Sequence, residues 1–226
     1  FCPSVSQGYH QGCPVKYQPV FQDSLGDSLE IQEDRNEWEY VYSVPHLIDL
    51  KGNAYHGKKN LLNQFITRYP HEYEEISGKN LEEILLMQKE WCSWKRCDGS
   101  KGLITEHDAI IRTLGNWKEF NNILGGLIRI DGKIVAYTIG EKIDPSTLAI
   151  HYEKGITEFR GIYQAMNQFF LSRSAFNFKW VNREQDVGSP GLRRAKLSYH
   201  PDHFVKKYIV SWKPAAQKKA QSVTSM

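Results

Sequence analysis

GGLIRIDGKIVAYTIGEKI, residues 125–143, holds two alternating runs separated by Asp131-Gly132. A period of two marks half-buried strands. Asp-Gly suits the two central positions of a type I′ turn, both of which take positive φ. The stretch therefore predicts an antiparallel hairpin, and a hairpin of this length needs a sheet and helices to bury its faces.

Downstream, TLAIHYE (147–153) reads as a third strand. KGITEFRG is a loop, and IYQAMNQFFL (162–171) keeps Ile162, Met166, Phe169 and Phe170 at helical spacing. FKWVN (178–182) is a strand, Ser189-Pro190 opens a helix as cap and first residue, and HFVKKYIVSW (203–212) is a last strand. Upstream, EWEYVYSV alternates as a strand. HGKKNLLNQFITRY (56–69) is a helix, and YEEI is a short strand. EEILLMQKEWCSWK is a helix capped at Asn80, and Thr105 with Asp108 repeats that capping pattern before AIIRTLGNW. This order predicts a mixed α/β (α+β) fold with a central, largely antiparallel sheet flanked by helices. Residues 1–35 read as a loop-rich remnant of a preceding domain, 36–212 as the folded domain, and 213–226 as a disordered tail.

The chain has 226 residues, 40% hydrophobic and 24% charged, ordinary for a globular protein, and no run long enough for an integral membrane segment. Residues 1–153 carry 16 Lys/Arg against 22 Asp/Glu, whereas residues 154–226 carry 13 against 4. That asymmetry points the C-terminal third toward an anionic partner: phosphate, nucleic acid or acidic lipid. Cys92 and Cys97, five apart on an expected helix, fall on different faces, which argues against a local disulfide and against a shared metal. Thiols in a reducing cytosol are the expectation, with attachment at the membrane periphery left open. His200 and His203 have no companion ligands at suitable spacing, so no metal site is expected.

Three loci could receive an anion. The loop between Gly155 and Gly161, with Arg160, leads into a helix N-terminus, although glycines at ordinary turns give the same pattern. Lys58 and Lys59 sit in the first turn of their helix, where cations oppose the helix dipole. In FKWVNREQDVGSPGLRRAKLSYHPD (178–202), the helix from Pro190 places Leu192, Ala195 and Tyr199 on an inward stripe. Arg193, Lys196 and His200 then form a cationic row, with Arg194 beside it, near the loop that follows a strand.

Between Trp38 and Trp212, GKKNLLNQF, GGLIRIDGKIVAYTIGE, IHYEKGITEFRGIYQAMNQFF and WVNREQDVGSPGLRRAKLSYHP resemble the C-terminal domain of bacterial phosphatidylglycerol lysyltransferases and stand-alone relatives described only as domains of unknown function. The resemblance implies a fold similar to the Gcn5-related N-acetyltransferases, in which two strands splay to admit an acyl donor. Here they would end at Glu153 and Asn182. It also implies a tandem arrangement in full-length relatives, of which this chain would be the second domain and a tail of the first. The acetyltransferase pyrophosphate signature, Gln/Arg-x-x-Gly-x-Gly/Ala aligned on Gly161, would place Glu158 and Tyr163 where it needs a cation or amide and a small residue. A carboxylate repels pyrophosphate and a phenol blocks close backbone approach, so aminoacyl-tRNA is a better donor than acyl-CoA.

Aminoacyl transfer needs a proton acceptor and oxyanion donors. Glu153 or Asp186 is expected to accept the proton. Lys196 and Arg193 are expected to hold tRNA phosphate or developing charge, and Arg183, Asn182 and Lys58 to orient the donor. The acceptor is a phosphatidylglycerol-like lipid or a small amine, and no cofactor is required. An acyl-CoA N-acyltransferase and a non-catalytic ligand-binding module on the same fold are the competing readings.

Overall fold

The computed structural model describes residues 10–14 and 28–213, so the expected tail lies outside the described residues apart from Lys213. The chain forms two compact units, one running Glu39–Phe204 and the other built from the segments on either side of it.

The larger unit is organised on a seven-stranded sheet. Its strands are β3 (Glu39–Ser43), β4 (Glu72–Glu75), β5 (Ile123–Ile130), β6 (Lys133–Asp144), β7 (Thr147–Gly155), β8 (Trp180–Asn182) and β9 (His203–Val205), in the order β4-β5-β6-β7-β8-β3-β9. The β5–β6 hairpin forms as expected, with Asp131 at φ 50° and Gly132 at φ 76° across its turn. The pairs β4–β5, β5–β6, β6–β7 and β8–β3 are antiparallel, whereas β7 and β8 are parallel.

Helices cover both faces. On one side α1 (Val44–Asp49), α2 (His56–Arg68) and α5 (Ile162–Arg173) bury Leu47, Leu62, Phe65, Met166 and Phe170 against Ile128 and Ala136. On the other, α3 (Leu81–Lys95) and α4 (Lys101–Gly115) bury Ile84, Trp91, Ile110 and Leu114 against Leu127 and Tyr137. Leu127 and Ile128 entering different clusters is the alternation that the hairpin sequence carries. A short α6 (Pro190–Leu197) precedes β9. This is the mixed α/β layout, a largely antiparallel sheet flanked by helices, that the sequence predicted. No helix among the described residues is long and apolar enough to cross a membrane.

Four expectations change. The stretch 1–35 contains two strands, β1 (His10–Pro14) and β2 (Leu29–Glu33), which pair on either side of β10 (Lys207–Trp212) in a separate three-stranded sheet. The single last strand of 203–212 is interrupted at Lys206, so the unit with the large sheet ends at Phe204 rather than 212. Helix α4 starts at Lys101 with Ser100 as its cap, and Thr105 lies inside it, its hydroxyl donating to the Lys101 carbonyl. Cys92 and Cys97 form a disulfide with Cα atoms 5.2 Å apart. Helix α3 stops at Lys95 and Arg96 turns left-handed at φ 52°, which brings the two thiols together where a continuous helix would separate them.

Candidate functional site

The parallel ladder between β7 and β8 is short. It begins at Thr147↔Trp180 and ends at Ala149↔Asn182, although β7 continues to Gly155. Past Asn182 the chain stays with β3 instead, because Arg183 N–H donates to the Tyr40 carbonyl and Tyr40 N–H to the Glu184 carbonyl. A wedge opens between β7 from Ile150 onward and the loop 183–188.

Side chains bridge that wedge. Arg183 Nη2 lies 2.8 Å from Glu153 Oε1, with the two side chains 13% and 12% exposed. His151 contacts Glu184 Oε1 through Nδ1 at 2.8 Å and Glu141 Oε2 through Nε2 at 2.9 Å. The Glu184 hydrogen bond, opposed by burial and reinforced by Glu141, pushes the His151 pKa up to about 9. His151 is also the extra residue of a β-bulge: Ile139 pairs with Tyr152 and Gly140 with Ile150. A Cβ on Gly140 would lie 2.6 Å from the Ala149 carbonyl oxygen, so the bulge needs glycine opposite it.

Loop 183–188 is wired from beneath. Lys196 Nζ donates to the carbonyls of Arg183, Glu184 and Gln185 at 2.5, 3.1 and 2.6 Å. These bonds take all three protons of the ammonium. Burial, then the charge of Arg183, pushes its pKa down to about 8, which still leaves it protonated at neutral pH. Asp186 is fully buried and accepts from the Tyr40 hydroxyl, from Gly188 N–H at 2.9 Å, and from Arg193 Nε and Nη2 at 2.8 and 2.7 Å. Burial raises the Asp186 pKa, but these donors, Arg193 first, outweigh it and hold the carboxyl well below the usual range. Asn182 accepts from Glu184 N–H and donates to Glu39, fixing Glu184 at φ 57°.

Two expected roles fail on this geometry. Asp186, surrounded by donors, is an anchor for α6 and not a proton acceptor. Lys196 faces inward to backbone carbonyls and Arg193 engages Asp186, so both charges already have partners within the protein. The stripe predicted for α6 is inverted: the cations point in, while Leu192 and Ala195 are exposed. Only Tyr199 of that stripe is buried.

Tyr199 is the residue that the sequence underplayed. It is 5% exposed, and its hydroxyl makes no well-formed hydrogen bond among the described residues, although Arg183 and Gln164 lie close to it. Arg183 Cζ sits 5.1 Å from its ring centroid and Lys58 Nζ 4.1 Å from it. Burial and then Arg183 lower the Lys58 pKa. Glu153, Arg183, Tyr199 and Lys58 thus meet at one place, drawn from β7, the loop after β8, the end of α6 and the start of α2. An aromatic three residues past a cation in a short capped helix was the available signal, and it was read as packing.

The remaining candidates take other partners. Gly161 caps α5 at φ 90°, where a Cβ would lie 2.3 Å from the Leu61 carbonyl oxygen. Arg160 is exposed and lines a 360 Å³ cleft with the outer face of α2: Asn60, Asn63, Gln64, Thr67 and Arg68. Tyr163, in the signature position, donates to the Gly155 carbonyl at 3.3 Å. Lys59 and Arg194 are exposed, and His200 Nε2 contacts the Ala54 carbonyl at 3.1 Å.

Residues 10–211 match the family model described as phosphatidylglycerol lysyltransferase, C-terminal. A conserved protein of unknown function from Bacteroides thetaiotaomicron has a similar structure, with a TM-score of 0.85 at 34% identity over 91% of this chain and 69% of that one. The structure of L-PGS from Bacillus licheniformis shares the fold at a TM-score of 0.64 and 13% identity, covering 92% of this chain and 68% of the other. An uncharacterised protein of Mycoplasmoides gallisepticum is 24% identical over 176 residues, 76% of this chain. The chain spans 55% of that curated relative's length.

Proposed function

The chain belongs to the phosphatidylglycerol lysyltransferase C-terminal family, and from that premise we propose that it transfers an aminoacyl group from aminoacyl-tRNA to a phosphatidylglycerol-like lipid or an amine. The observation that carries this reading is the Glu153–Arg183–Tyr199 cluster at the mouth of the parted strands. Glu158 and Tyr163 in the pyrophosphate-signature positions favour an RNA-borne ester over acyl-CoA, since the phenol is already seated on the Gly155 carbonyl.

In this proposal the acceptor hydroxyl or amine attacks the ester carbonyl while Glu153 takes its proton. Arg183 and the Tyr199 hydroxyl donate to the oxyanion of the tetrahedral intermediate. Collapse breaks the bond between the carbonyl carbon and the ribose oxygen, and the proton held by Glu153 passes to that leaving oxygen. Lys58 faces the RNA's terminal phosphodiester. Lys196, Asp186 and Arg193 act one layer back, by holding the loop that presents Arg183.

The test is transfer of labelled lysine from lysyl-tRNA to phosphatidylglycerol vesicles, with CoA as competitor. Transfer that CoA leaves untouched and Tyr199→Phe reduces supports the proposal. Binding of tRNA without turnover in a chain spanning the full length of its relatives would favour the non-catalytic reading. Inhibition by CoA would favour the acyl-CoA reading.

A further inference from the structure

Helix α6 is built inside out. Its only residues that are not exposed are Arg193 and Lys196, drawn inward by Asp186 and by the carbonyls of loop 183–188, so its apolar side chains face solvent. Leu192 is 40% and Leu197 41% exposed. The loop that leads into the helix adds Val187, 62% exposed and held at φ 44°. A β-branched residue is strained there, and no buried contact compensates for the strain. Three large apolar side chains therefore crown the loop that carries Arg183 and Glu184.

Exposed cations outnumber exposed carboxylates around this crown. Neither α6 nor α2 contains an Asp or Glu. Arg194 is exposed on α6 itself. At the helix end, His200 contacts Ala54 and stacks edge-on with Tyr55, which brings the segment bearing exposed His56 and Lys59 alongside. Of the nearby carboxylates, Glu184 is paired with His151 and Asp49 with Lys51, while Asp202 contacts His203.

Apolar side chains flanked by exposed Arg194 and Lys59 fit the interface of an anionic bilayer, where aliphatic groups enter the acyl boundary and cations meet lipid phosphates. We propose that α6 and Val187 form a lipid-docking surface that sets the parted strands against the membrane. The inference extends the reading of a lipid acceptor, but its test needs no turnover.

The experiment is co-sedimentation with vesicles of equal phosphatidylglycerol and phosphatidylcholine, against vesicles of phosphatidylcholine alone, without tRNA. Wild type is expected to sediment with the anionic vesicles only. Val187→Ser/Leu192→Ser/Leu197→Ser should lose that binding by at least about tenfold, with unchanged circular dichroism. Arg194→Glu, fully on the surface, should weaken it several-fold and serves if the triple variant fails to fold. Wild type left in the supernatant, or variants that bind as wild type does, would overturn the proposal. So would a lipid-free dimer that the triple variant dissolves, which would make the face a protein interface. Vesicle binding without transfer counts against the proposed reaction alone.

Discussion

Arg183 Nη2 lies 2.8 Å from Glu153 Oε1, so the gap left where β7 and β8 part is spanned by an ion pair in place of a backbone ladder. Removing one partner leaves a nearly buried charge unpaired. Glu153→Gln and Arg183→Gln should each cost about 3 kcal/mol, and the double variant less than their sum by about 2 kcal/mol. Urea unfolding of the four proteins measures this coupling.

Tyr199→Phe should separate stability from activity. The hydroxyl it removes is buried without a well-formed hydrogen bond, so the melting temperature should hold or rise, by up to about 1 kcal/mol of stability. Transfer should fall about a hundredfold if the hydroxyl serves the oxyanion. A variant that loses stability while keeping activity would show the group to be structural.

His151 makes stability depend on alkaline pH. Its folded pKa of about 9 lies above the ordinary 6.5, so the native state holds a proton that the unfolded chain releases first. The stabilisation is complete below pH 6.5 and is lost as pH rises through 9. Discounted for solvent screening it is about 1–2 kcal/mol. The difference in unfolding free energy between wild type and His151→Gln, followed from pH 6 to 10, should shrink by that amount.

Lys196→Met should loosen loop 183–188, because three carbonyls lose a charged donor. The expected cost is about 3 kcal/mol, with faster amide exchange across the loop. The salt dependence of tRNA binding should keep its slope, whereas loss of a phosphate-binding lysine would reduce that slope by about one.

Reduction of the Cys92–Cys97 disulfide should lower stability by about 2 kcal/mol, the value for so short a closed loop. Thermal melts with and without a thiol reductant test it, with Cys92→Ser/Cys97→Ser as the control insensitive to reductant.

The hairpin at Asp131-Gly132, the succession of strands and helices along the chain and a sheet flanked by helices were legible because period and turn chemistry are local. The orientation of α6 was not. A helical wheel turns Leu192 inward by default, and only Asp186 and the carbonyls above Lys196, folded beneath the loop, reverse it. Glu153 and Arg183 were each singled out, but their pairing across the wedge depends on where the β7–β8 ladder stops, which no local pattern encodes. Cys92 and Cys97 were separated by a helix assumed to continue, and Arg96 at positive φ ends it.

The bulge at His151 governs more than its own imidazole. Side chains along a strand alternate between faces, and the bulge absorbs the inserted residue, so that Ile150 and Tyr152 lie on opposite sides of the sheet although they are two residues apart. Deleting His151 would close the bulge and keep Glu153 opposite Thr138, on the face it already occupies, while removing the imidazole that joins Glu141 to Glu184. The acidic member of the cluster is thus insulated from that residue, and a shortening by one codon should spare the Glu153–Arg183 pair and the fold while releasing Glu184 from β7.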